Sequence, residues 1–129
     1  MTERDVQTPE SLLPLTPAVF HILMALAGEE RHGYGIMKAV EANTEGQVTM
    51  GPGTLYGSIK RMLASNLIEE TDERPDPEMD DSRRRYYRLT GFGARVLSAE
   101  AERLARAVRI AQQKEVLPRI PASGPEVAS

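Results

Sequence analysis

Apolar residues recur at helical spacing in several stretches of the chain, with polar or glycine-containing breaks between them. Residues 1–14 are mostly polar and read as a flexible lead. Thr16-Pro17 then reads as a helix start: Thr16 can cap, and Pro17 suits a first helical position where an N–H would have no partner. Val19, Phe20, Leu23, Met24 and Ala27 follow on one face, and Gly28 is a natural stop. A second helix is predicted from about Gly33 to Asn43, with Tyr34, Ile36, Met37 and Val40 apolar and Gly46 closing it. Val48-Thr49-Met50 reads as a brief extended piece. Gly51-Pro52 opens a third helix to about Ser65, whose core face is Leu55, Ile59, Met62 and Leu63, and Asn66 ends it.

The periodicity then changes. Leu67-Ile68-Glu69-Glu70 reads as a strand, and TDERPDPEMDDS as a loop rich in acids and proline. Arg85 to Leu89 forms a second strand in which aromatic and basic residues alternate, so one of Tyr86 and Tyr87 is expected in the core and the other outside. Thr90 begins the last helix, to about residue 115. Its Leu97, Ala101, Leu104, Val108 and Ala111 repeat at heptad-like spacing. About 25 residues make a rod roughly 37 Å long. So small a chain has little to cover that length, and the seam is expected to pack on a second copy.

Three helices followed by a hairpin is the order of a winged helix-turn-helix. The fold class is therefore mainly α with a small β-hairpin, extended by a long C-terminal dimerisation helix. The expected organisation is a lead over 1–14, a winged helix domain over 15–90, a dimerisation helix over 91–116 and a disordered tail over 117–129, rich in Pro, Gly, Ala and Ser.

Composition removes several classes of function. With no cysteine among 129 residues, disulfides, thiolate zinc sites and cysteine nucleophiles are excluded. His21 and His32 are too few for a His-rich metal site; His21 reads as structural, and His32 has no visible nucleophile beside it. No metal or cofactor and no enzymatic activity are expected. No run of eighteen apolar residues occurs, so no membrane span is expected, and a cytoplasmic location follows as the default. The net charge of −3 is not that of a simple nucleic-acid binder. Its distribution matters more, because positive charge is dense at Lys60-Arg61 and at Arg83, Arg84, Arg85 and Arg88.

The third helix is the most informative segment. Opposite its core face lie Gly57, Lys60, Arg61 and Ala64, flanked by Thr54, Tyr56 and Ser58. A helix in a major groove needs small residues at closest approach and donors beside them. Gly57 and Ala64 meet the first need; Tyr56, Ser58, Lys60 and Arg61 meet the second. An ordinary solvated helix face would look similar. Arg83 and Arg84 stand where a wing would reach a minor groove or phosphates, or would neutralise the acids before them. Tyr34 reads either as a phosphate contact or as a core aromatic with a wet tip. Gly33 is read as a residue that can take a backbone conformation closed to other residues.

The stretches LTPAVFHILMAL, HGYGIMKAV, GPGTLYGSIKRMLASNLIEE and SRRRYYRLTGFG together resemble the PadR family of transcriptional regulators, over about residues 15–110. The resemblance implies a homodimer joined through the C-terminal helix that binds double-stranded DNA at a palindromic operator, usually as a repressor. It implies that Pro52 to Tyr56 mark the reader helix, that Thr54, Tyr56 and Lys60 face DNA, and that Arg84 and Arg85 form the basic wing. A single C-terminal helix resembles the shorter members, which often bind a small hydrophobic effector at the dimer interface. Two features depart from the family. Gly51 stands where serine is frequent, a change costing only a few tenths of a kcal/mol at a cap, and the wing loop is long and acidic. There is no tryptophan, so an effector would meet Leu97 and Val108 with Phe92 or Phe20. The reading of a different class is a winged-helix module that binds protein, favoured by the negative net charge.

Overall fold

The computed structural model describes residues 7–71 and 85–118. The wing loop with Arg83 and Arg84, and the tail from 119, lie outside those residues. After a 3₁₀ turn at Pro9–Leu12, the elements are α1 (Pro17–Ala25), β1 (Arg31–His32), α2 (Gly33–Asn43), α3 (Pro52–Ala64), β2 (Ile68–Thr71), β3 (Tyr86–Leu89) and α4 (Gly91–Gln113).

The helix starts follow their caps. Thr16 accepts the Val19 N–H at 3.2 Å, and Thr90 accepts the Gly93 N–H at 2.8 Å. The His32 Nδ1 accepts the Gly35 N–H at 3.0 Å. Each satisfies an amide that the first turn leaves without a partner. Gly51 caps α3 without a side-chain hydrogen bond. Between α2 and α3, the Thr44 hydroxyl donates to the Val40 carbonyl at 2.8 Å and accepts the Val48 N–H at 3.0 Å. This holds the turn, and Val48 and Met50 pack half-buried against the core without forming a strand.

One core joins the elements. Ile22, Leu23 and Leu26 meet Ile36 and Val40 of α2, Leu55, Ile59 and Met62 of α3, Leu67, Ile68 and Tyr87 of the sheet, and Val96 and Leu97 of α4. Each such aliphatic side chain, fully buried, contributes about 1.5–3 kcal/mol.

The structure corrects the sequence reading at several points. The sheet has three strands, in the order β1-β3-β2, all antiparallel. Arg31 stands opposite Tyr87 and His32 opposite Tyr86, so β3 is central. Both tyrosines are consequently buried. Tyr87 joins the main core, while Tyr86 meets the His32 ring edge-on at 5.2 Å. Residues 7–14 are not a loose lead: the 3₁₀ turn packs on α4. There the Leu15 N–H donates to Glu100 Oε2 at 3.0 Å, and the Arg103 guanidinium donates to both carboxylate oxygens at 2.6 and 3.1 Å. Glu100 is almost fully buried. The Arg103 hydrogen bonds, then the Leu15 amide, hold its pKa below the ordinary value of 4.5 against the opposing effect of burial.

Candidate nucleic-acid interface

The face of α3 turned from the core carries the candidate contacts. Leu55, Ile59 and Met62 are buried, which points Thr54, Tyr56, Lys60 and Arg61 outward, with Gly57 half-buried between them. Arg61 folds back over the bare backbone of Gly57, its Nη1 3.7 Å from where a Cβ would stand, and donates to the Ser58 hydroxyl at 3.3 Å. Ser58 itself is completely buried. It lies on the core side of the helix, three residues after Leu55 and four before Met62, so it is not available to DNA, contrary to the sequence expectation. Its small size and polarity gave no periodic signal of burial.

Tyr34, in the first turn of α2, is 57% exposed, so it is not a core aromatic. The Lys38 ammonium stands 5.9 Å from its ring centre, close enough for a cation–π contact. Lys38 was not singled out from the sequence; its place one turn after Tyr34 was the available signal. Two exposed aromatic side chains and three cations thus lie on the outer faces of α2 and α3.

The base of the wing is self-neutralised. Arg85 pairs with Glu70 at 3.2 Å, and Arg88 pairs with Glu69 at 2.8 Å and Glu30 at 3.5 Å. The Glu69–Arg88 pair follows from their direct opposition across β2 and β3. Arg85 thus has an exposed carboxylate partner, an interaction that the sequence reading assigned only to Arg83 and Arg84.

Along α4 the predicted seam divides. Leu97 is buried in the chain's own core, because α4 packs on α1 and β3. Beyond it Ala101 and Leu104 are exposed, and Val108 and Ala111 half-buried. Phe92 and Phe20 pack against the core.

The sequence profile of the PadR-like family of transcriptional regulators matches residues 22–99, which run from α1 through the first turns of α4. The chain belongs to this family. A PadR family transcription regulator from hypervirulent Clostridium difficile R20291 superposes with a TM-score of 0.62 at 25% identity, covering 76% of this chain and 97% of that one. A transcriptional regulator from Clostridium thermocellum gives 0.61 at 22% identity, over 74% and 87% of the two chains, and shares the fold. An uncharacterized 37.1 kDa protein of transposon TN4556 from Streptomyces fradiae is 35% identical over 85 residues, 66% of this chain. The chain spans only 22% of that relative's length.

The PadR-like assignment makes the chain a member of a family of transcriptional regulators, with a winged helix fold. Regulators of this family are generally not enzymes. Among the described residues no helix is long and apolar enough to cross a membrane, and no group of three or more His, Cys, Asp or Glu stands together as a metal site.

Proposed function

We propose that two copies join through α4 and place their α3 helices in successive major grooves of a palindromic operator, about 34–36 Å apart. The observation that carries this reading is the outer face of α3, where Thr54, Tyr56, Lys60 and Arg61 surround Gly57 while the opposite face is buried. Gly57 gives close approach, and Thr54, Lys60 and Arg61 are the donors that reach bases and phosphates. Tyr34 and Lys38 extend that surface to a flanking phosphate. The pairing of two copies is supported by Leu104 and Ile110, large apolar side chains left exposed on α4.

Repression asks only for occupancy of the operator, which a dimer of this size provides by itself. A small hydrophobic effector bound between the α4 helices, near Leu104 and Val108, would favour one dimer geometry and so release DNA. Leu97 has no part in that site.

The test is operator affinity measured on Lys60→Ala. Loss of one phosphate contact in each copy, two in the dimer, weakens binding to all sequences alike and lowers the salt slope by about two. Unchanged affinity and slope would remove Lys60 from the interface. The second reading, a winged-helix module that binds protein, is favoured by the pairing of Arg85 and Arg88 with Glu70, Glu69 and Glu30. It predicts no sequence preference in DNA binding.

A further inference from the structure

Gly33 is the first residue of α2 and is buried. Its backbone is not in the left-handed region, so the conformation does not itself require glycine. What requires it is Tyr56 of α3. A methyl group on Gly33 would collide with the Tyr56 hydroxyl and lie 2.7 Å from Cζ and 3.1 Å from Cε1. One half of the Tyr56 ring is thus seated on bare backbone at the corner where β1 turns into α2, and the other half faces solvent.

The same side chain is felt by the sheet. Tyr87 stands on β3 opposite Arg31, two residues before Gly33. Burial raises its pKa above the ordinary value of 10.0, and the Glu70 carboxylate and the Tyr56 hydroxyl add to that, against Arg85. Tyr56 of α3 therefore meets the corner at which β1, paired with the central strand, turns into α2.

We propose that Tyr56 is a positioning residue: its ring, seated on Gly33, sets how far the reader helix stands from the α2 corner and the wing sheet. This rests on the DNA-binding reading above and assigns a task to one residue within it. Tyr56 then acts through its shape, whereas a base-reading tyrosine would act through its hydroxyl.

Four proteins and one control separate these roles: wild type, Gly33→Ala, Tyr56→Ala, the double variant, and Tyr56→Phe. Each is measured for melting temperature and for affinity to a labelled duplex from upstream of its own gene, alongside a scrambled duplex. Gly33→Ala and Tyr56→Ala are each expected to lose at least tenfold in operator affinity, with scrambled-duplex binding little changed. The double variant is expected to bind no more weakly, and to melt no lower, than Tyr56→Ala, because the methyl then has nothing to strike. Tyr56→Phe is expected to stay within threefold of wild type. Losses that add in the double variant, a Gly33→Ala protein equal to wild type, or a Tyr56→Phe protein as weak as Tyr56→Ala would each overturn the proposal. A wild-type protein without sequence preference would overturn the functional reading itself, and this assignment with it; that failure is distinguishable because it shows in the parent and not in the variants.

Discussion

At Gly93 the fold tolerates no side chain. A methyl group there would strike the Leu67 carbonyl, whose carbon is 2.9 Å from the added atom. Both sides are backbone, so neither can yield cheaply. Gly93→Ala is expected to destabilise the protein by about 2–3 kcal/mol, the upper part of the overpacking range, read as a lowered urea midpoint. Glu100 is constrained by charge instead of space. Its pKa is held below 4.5 in the folded protein, chiefly by Arg103. A depressed carboxylate pKa contributes stability that is present above the unfolded value and is lost as pH falls through the folded one. Stability should therefore fall below about pH 4.5, and Glu100→Gln should lower stability at pH 7 while flattening that acid limb. Equal acid sensitivity in the two proteins would remove Glu100 from the linkage. Neither role was visible in the sequence. Gly93 meets Leu67, and Glu100 meets Leu15, only through contacts between residues far apart in the chain.

The helices were largely legible because their apolar spacing is regular and their caps are chemically distinct. Thr16-Pro17, Gly51-Pro52 and Thr90 mark starts that the structure reproduces within a residue. The two-residue strand β1 was not legible, since Arg31-His32 is too short to carry a period, and only its pairing with β3 defines it. The same missing strand explains why both Tyr86 and Tyr87 are buried where alternation predicted one. The 3₁₀ turn depends on a contact with α4 some 85 residues away, which no local pattern encodes. On α4, spacing alone placed Leu97 and Leu104 in one seam, yet only Leu97 reaches the chain's own core. The two should separate on substitution. Leu97→Ala is expected to cost about 2–4 kcal/mol of stability while leaving the protein dimeric below its unfolding transition. Leu104→Lys is expected to fold and to run as a monomer by light scattering, with operator binding lost. A dimeric Leu104→Lys protein would take this part of α4 out of the interface.

For the whole molecule, charge is the term that separates a DNA reader from a protein-binding module. The net charge of −3 opposes approach to DNA at long range. Arg85 and Arg88 do little to offset it, being matched by Glu70, Glu69 and Glu30. Among the described residues, the cations on the outer faces of α2 and α3 are Lys38, itself 3.8 Å from the Glu41 carboxylate, Lys60 and Arg61. A dimer doubles that small set, so binding should depend steeply on salt while the contacts that choose a sequence stay few. The most direct measurement is binding to the DNA upstream of the protein's own gene at about 50 and 200 mM salt, against a scrambled duplex of equal length. The account predicts preferential binding of a palindromic segment by two copies of the chain, weakening steeply as salt rises. Equal affinity for both duplexes at both salt concentrations would contradict it.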